Sequence, residues 1–246
     1  EWGWDGGYGL KATAETLTNI ISVSALWDCG VVLKGDNTVF VWGKSNYGET
    51  NVPAGLADVV AVSGGGRFCI AQKRDGTVVV WGSNYGGQTN VPAGLGSVAA
   101  IAAGGNHCLV LKSNGTVVAW GDNGYGQTNV PPDLTNAVAV SAGYYHSLAL
   151  RADGTLVAWG RSNLGQTNLP PCLHSVIAIS AGGYHNLAVV AGFYPMRFSG
   201  VDCLPNGQAR LTVDGLAGDV YRVLGSTNLL DWLAIGTVTN TTGTVP

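Results

Sequence analysis

The stretch "VVAWGDNGYGQTNVPPDL", from Val117 to Leu134, occurs in near-copy three more times. "VFVWGKSNYGETNVPAGL" begins at Val39, "VVVWGSNYGGQTNVPAGL" at Val78 and "LVAWGRSNLGQTNLPPCL" at Leu156. A catalytic constellation has no reason to recur four times in one chain, whereas a structural unit does. Trp42, Trp81, Trp120 and Trp159 stand 39 residues apart, each followed by glycine, and Pro53, Pro92, Pro131 and Pro170 keep the same interval, as do Thr38, Thr77, Thr116 and Thr155. A fixed period of this length marks a solenoid or a propeller.

The pattern inside one period separates the two. In Ala137–Gly160, Val138–Ser141 is apolar and β-branched, His146–Arg151 alternates with Leu148 and Leu150 on one face, and Thr155–Trp159 is again strand-like. Gly143 and the hairpin dipeptide Asp153-Gly154 punctuate these runs. No stretch shows a helical period. Each unit therefore reads as three short antiparallel strands and a loop of about sixteen residues that carries Gly-Gln-Thr-Asn-Val-Pro. A three-stranded sheet cannot bury both faces alone. Copies set around an axis can, which makes the expected fold an all-β propeller of 39-residue, three-stranded blades. An open β-solenoid is the minor alternative.

Units are expected near residues 20–58, 59–97, 98–136 and 137–175, with a partial fifth over 176–195 that loses its pattern after Val190. Phe198 stands where that fifth unit should end in Trp-Gly. Glu1-Trp2-Gly3 looks like the end of a third strand with nothing before it. It could complete the fifth unit and close a ring, or the chain could be an arc of a longer ring. The propeller is assigned to 1–195. Residues 196–246, with alternating runs at Ala209–Val213, Val220–Leu224 and Trp232–Val238, read as a small β-sandwich-like module, apparently truncated.

"AGGNHCLVLKSNGTVVAWGDNGYGQTNVP" resembles the repeats of the regulator of chromosome condensation family, whose units run Gly-x-x-His, Asp-Gly and Trp-Gly-x-Asn-x-x-Gly-Gln-Leu in turn. The resemblance covers roughly Tyr8 to Val190 and implies a propeller, commonly of seven blades; the compact units look most like bacterial members, some of which inhibit β-lactamases. The chain departs from the pattern in places. Thr128 and its equivalents replace the leucine after glutamine, and Cys29 and Phe68 stand where later units have His107, His146 and His185. The tail's Ser-Thr-Asn-Leu motif is similar, more weakly, to C-terminal modules of large bacterial surface or secreted proteins.

Composition narrows the function. Charged residues make up 11% of 246, Gly numbers 38 and the net charge is −3, which suits many short strands and gives no basic footprint for nucleic acid. No run of apolar residues is long enough to span a membrane as a helix. The chain opens without Met or a signal peptide and reads as a fragment or processed form. Five cysteines without a Cys-x-x-Cys pair argue against a disulfide scaffold and against zinc, and no cofactor is expected. Asp36, Asp75 and Asp153 are explained as turn residues. No nucleophile elbow, phosphate loop or His-Glu-x-x-His occurs, so the chain is not expected to be an enzyme.

The tryptophans are expected to anchor each blade against its neighbour. Each removes about 150–250 Å² from water, on the order of 4–6 kcal/mol gross. His107, His146 and His185 are expected to fix turns by hydrogen bonds rather than to hold a metal, and Cys69 and Cys108 to be small inter-blade residues. Repeating positions build the ring, which leaves the variable ones free to bind. Strands one and three run the same way, so two variable sets share a rim. The turns between strands one and two carry Trp27, Asp28, Arg67, Asn106, Tyr144, Tyr145 and Tyr184, and the long loops begin with Lys44, Ser83, Asp122 and Arg161. This aromatic, mixed-charge face suits a protein partner. The expected function is a binding scaffold on a secreted or surface-attached bacterial protein. Enzyme inhibition of the β-lactamase-inhibitor kind and a carbohydrate-binding or carbohydrate-active module are the alternatives.

Overall fold

The computed structural model describes residues 17–25, 27, 29–170, 173 and 175–191 in full, and the backbone of 197–203, 209–214, 220–225, 233–239 and 244–245. The proposed closing strand Glu1–Gly3, Asp28, Cys172 and Trp232 lie outside the described residues. The chain divides into two compact parts, Glu1–Ala191 and Gly192–Pro246.

The first part is built from the repeat. Blade one comprises β1 (Ile20–Ala25), β2 (Cys29–Lys34) and β3 (Val39–Gly43). Blade two comprises β4 (Val59–Gly64), β5 (Phe68–Lys73) and β6 (Val78–Gly82), and blade three β7 (Val98–Ala103), β8 (His107–Lys112) and β9 (Val117–Gly121). Blade four follows with β10 (Ala137–Ala142), β11 (His146–Arg151) and β12 (Leu156–Gly160), and blade five with β13 (Val176–Ala181) and β14 (Asn186–Val190). Each sheet is antiparallel in chain order, so strands one and three are parallel in sense and the two variable sets do meet on one rim. Every first strand carries a one-residue slip near its start, between Ala137 and Ala139 for instance, which bends it where it enters the sheet.

The hairpins close as their sequences dictate. A side-chain oxygen of Asp36, Asp75, Asn114 and Asp153 accepts the backbone N–H of the threonine two residues on, at 2.9–3.1 Å. These bonds to Thr38, Thr77 and Thr155 hold the three aspartates below the usual carboxylate range. The glycine after each tryptophan has no substitute. Gly82 sits at φ +104°, and a Cβ there would lie 2.8 Å from the Arg67 carbonyl oxygen.

The second strands of blades one to four are buried on both faces, and the alternation of side chains sends successive residues to opposite neighbours. Cys69 and Ala71 pack with Val31 and Leu33 of blade one. Phe68 and Ile70 pack with Cys108 and Val110 of blade three. Leu109 and Leu111 pack with Ala149 of blade four. Trp81, Trp120 and Trp159 each lie in the cluster formed with the preceding blade, at 6–8% exposure. These three have the anchor role expected from the sequence, whereas Trp42 is half-buried and stacks on Phe40 of its own blade.

A polar joint repeats beside each indole. Trp81 Nε1 donates to the Glu49 carbonyl, Trp120 Nε1 to Gln88 and Trp159 Nε1 to Gln127, all at 2.9 Å. The residue paired with each tryptophan reaches the same carbonyl: Cys108 Sγ to Gln88 at 3.6 Å and Ser147 Oγ to Gln127 at 2.8 Å. Asn186 Nδ2 does so to Gln166 at 2.7 Å. The long-loop Glu or Gln side chain turns back to take the N–H two residues earlier, as from Tyr125 to Gln127 at 2.8 Å. Gly-Gln-Thr-Asn is thus a latch between consecutive blades.

His107 and His146 belong to the same joints rather than to their own turns, whereas His185 is exposed. His107 Nε2 meets Ser147 Oγ at 3.0 Å and His146 Nε2 meets Asn186 Oδ1 at 2.7 Å, each in the next blade. Ser147 already donates to Gln127, so it accepts from His107, which fixes a neutral Nε2–H ring. Burial, then the nearby His146, pushes His107 down to about 4. Cys69 and Cys108 are buried free thiols in the joints, as expected.

In the second part, β15 (Arg197–Cys203), β16 (Ala209–Asp214) and β19 (Thr244–Val245) form one antiparallel sheet, and β17 (Val220–Gly225) pairs with β18 (Leu233–Thr239). Phe198 lies in β15, opposite Val213 of β16.

Candidate functional site: an aromatic and arginine rim

The turns between first and second strands are tied to one another by main chain. Gly66 N donates to the Gly104 carbonyl, Gly105 N to Gly143 and Tyr144 N to Gly183, at 3.1–3.2 Å. Their small residues are required for this approach. A Cβ on Gly105 would overlap the Tyr144 backbone, and one on Gly104 would overlap the His107 ring. The ends of all five first strands surround one axial depression of about 230 Å³, lined by Ala25, Gly65, Gly104, Gly143 and Gly182 among others. The turns therefore form a fixed belt around a common axis, and the side chains projecting from it are held at set positions.

On this belt the aromatics touch in sequence. Trp27 of blade one stacks on Tyr144 of blade four, with centroids 5.1 Å apart and planes 9° from parallel. Tyr144 meets Tyr145 edge-on at 4.2 Å and Tyr184 at 6.0 Å. Arg67 lies 5.2 Å from the Trp27 ring and 4.8 Å from Tyr47, and its Nη1 donates to the Tyr47 hydroxyl at 2.9 Å. Tyr47 in turn meets Tyr85 at 5.5 Å. On the other side Arg161 lies 4.8 Å from Tyr125, 5.2 Å from Tyr145 and 5.9 Å from Tyr184. Seven aromatics and two arginines thus make one unbroken chain across the rim. Burial, followed by the neighbouring Tyr145, raises the Tyr144 hydroxyl to about 12, so it is neutral near pH 7.

Of the sequence candidates, Trp27, Arg67, Tyr144, Tyr145, Tyr184 and Arg161 are brought together. Asn106 lines a notch of about 220 Å³ with Trp27, Gly66, Arg67, Ser83, Tyr85, Gly105 and Tyr144. Asp122 serves its own loop: its carboxylate accepts from Gln127 Nε2 at 2.9 Å and Gly124 N at 3.1 Å. Lys44 opens the long loop of blade one and its carbonyl accepts from Cys29. Asp28 lies outside the described residues.

Sequence reasoning missed Tyr47, Tyr85 and Tyr125. All three sit deeper in the long loops, two or three residues before the latch Glu or Gln, where a tyrosine in "NYG" or "GYG" reads as filler. The available signal was recurrence: an aromatic stands near this point in three of four copies, and Leu164 in the fourth.

Among the described residues no group of His, Cys, Asp and Glu is arranged to hold a metal, and no helix is long and apolar enough to cross a membrane.

The regulator of chromosome condensation (RCC1) repeat matches residues 98–127 and 137–166, which fall in blades three and four. No curated protein sequence matches the chain. Among solved structures, Prp20p from Saccharomyces cerevisiae aligns at 19% identity over 70% of this chain and 56% of its own, with a TM-score of 0.62. Human WBSCR16 aligns at 22% over 70% and 58%, TM-score 0.61. The ectodomain of the Physcomitrella patens receptor kinase CR4 aligns at 22% over 75% and 59%, TM-score 0.60. The fold is thus that of an RCC1-type propeller, and the chain spans somewhat over half the length of each of these structures. The Prp20p structure is described together with binding to Gsp1p and histones.

Proposed function

We propose that this propeller is a non-catalytic scaffold that captures another protein on the rim carrying Trp27, Arg67, Tyr144, Tyr145, Tyr184 and Arg161. The observation that carries the reading is the unbroken aromatic and arginine chain on a backbone belt that cannot yield. Trp27 is 55% exposed, Tyr184 48% and Tyr85 81%, although the chain has joints that bury such rings. Large rigid rings and arginine are the residue types that dominate protein interfaces, because they bury area at small entropic cost. The fold supports a binding role, since Prp20p is described with protein partners and CR4 presents the fold on an ectodomain. The secreted or surface placement expected from the tail remains part of this proposal.

A photo-crosslinking residue at Tyr85 should capture the partner from the native source, and the same residue at Asp75, on the hairpins of the opposite rim, should not. Trp27→Ala with Tyr144→Ala should abolish capture while the melting midpoint holds. Capture from both rims, or from Asp75 alone, rejects the face. Inhibition of an enzyme is the narrower form of this reading, and a β-lactamase assay with added protein tests it directly.

A further inference from the structure

Resting on that reading of the rim, we propose that the notch between Trp27, Tyr85 and Tyr144 is a carboxylate site, which seats an aspartate or glutamate side chain of the captured protein.

The notch is lined by donors. The Arg67 guanidinium has five N–H groups, of which one bond, from Nη1 to the Tyr47 hydroxyl, is spent within the protein. Asn106 uses its amide oxygen, at a long 3.4 Å, to take Gln88 Nε2, which leaves its NH₂ for an acceptor. Ser83 is 4% exposed and its Oγ has no hydrogen-bond partner. A buried hydroxyl without a partner costs free energy. Three donors of different kinds, one of them charged, therefore line a space of about 220 Å³ that a single carboxylate side chain fits.

Among the described residues no carboxylate pairs with that charge. Among the described residues, the ion pairs are Lys73–Asp75 at 3.7 Å and Arg151–Asp133 at 3.2 Å, and neither involves the rim arginines. Arg67 instead lies against the Trp27 and Tyr47 rings, which hold it in place without neutralising it. A guanidinium fixed in this way is pre-organised for a two-pronged bond to a carboxylate. A phosphate dianion would call for two cations, and Arg67 is the single cationic side chain lining the notch.

The test uses the whole chain labelled with ¹⁵N and two probes of equal shape, N-acetylglutamate α-amide and N-acetylglutamine α-amide. The glutamate probe should shift the Trp27 indole and the Ser83 and Asn106 signals saturably, with millimolar affinity, and the glutamine probe should bind at least fivefold more weakly. The shifts should vanish as pH falls below about 4, where the probe carboxyl protonates. Arg67→Gln should abolish them, and Ser83→Ala should weaken them by about three- to tenfold. Equal shifts from both probes, shifts elsewhere on the surface, or undiminished binding by Arg67→Gln in a protein that melts normally would overturn the site. Equal binding of chloride or sulfate would also overturn it, by showing a general anion site rather than one for a carboxylate side chain. These failures leave the rim reading standing if crosslinking at Tyr85 still captures a protein. Loss of that crosslink with the notch shifts intact would reject the rim and keep the carboxylate chemistry.

Discussion

The joint between blades three and four and the joint between blades four and five start from the same sequence and end differently. In the first, Trp159 fills the space against Leu109 and Leu111, and Ala149 is fully buried. In the second, blade five has two described strands, no tryptophan stands beside the Gln166 carbonyl among the described residues, and a cavity of about 400 Å³ lies between Leu148, Leu156, Leu169 and β14. Leu187, the register equivalent of buried Leu148 and Leu109, is 65% exposed, and Val189 is 55% exposed. The repeat supplies the latch, but burial is a property of the pair: a blade is only as well packed as the neighbour that covers it.

Substitutions can break that contrast. Trp120→Ala should cost the most, about 3–5 kcal/mol by chemical denaturation, because it removes both a joint's largest apolar group and a bond to the Gln88 carbonyl. Leu109→Ala should cost about 2–4 kcal/mol, while the register-equivalent Leu187→Ala should fall within about 0.5 kcal/mol; equal losses would mean that blade five is covered after all. Amide hydrogen exchange should follow the same gradient, fast in β14 and slowest in β5 and β8.

The histidine joint gives a smaller, pH-dependent effect. His107 is neutral when folded and titrates at about 4, against about 6.5 unfolded, so the unfolded chain binds the proton more readily. Its neutral-state stability is present above pH 6.5 and should fall by roughly 1–3 kcal/mol as pH drops from 6.5 toward 4. His107→Phe, which copies Phe68 of blade two, should flatten that slope in melts at several pH values. The smallest change is expected at the hairpins. The lowered carboxyl of Asp75 favours the fold above the unfolded pKa and loses that contribution as pH falls through the folded one. Because the group is fully exposed, Asp75→Ala should move the melting midpoint by about 1 °C or less.

The fold was legible because its determinants repeat. Trp-Gly, Asp-Gly and Gly-Gln-Thr-Asn each perform one local task, and recurrence at 39 residues separates them from chance. The role of the histidines was misread as a turn bond because their acceptors, Ser147 and Asn186, sit one blade further on, at a distance no local pattern records. The rim was half legible. Trp27, Tyr144, Tyr145 and Tyr184 stood out as bulky residues in otherwise small turns. Tyr47, Tyr85 and Tyr125 were hidden by the motif beside them, and the stack of Trp27 on Tyr144 joins blades one and four, which only closure about an axis brings together. Asp122 was singled out as a variable charge, yet variation there reflects different ways of holding a loop. Where Asp122 satisfies Gln127 Nε2, Arg161 cannot do the same for Gln166 Nε2, which is left buried and unpartnered.

Two of the three buried sulfhydryls, Cys69 and Cys108, have a use in the laboratory. Burial raises both Cys69 and Cys108 well above the ordinary thiol range, so in the native protein neither is a nucleophile at neutral pH. Alkylation by iodoacetamide must wait until a blade swings away from its neighbour. The rate at which each sulfur is labelled is then a clock for that opening, Cys69 for the seam of blades one and two and Cys108 for that of blades two and three.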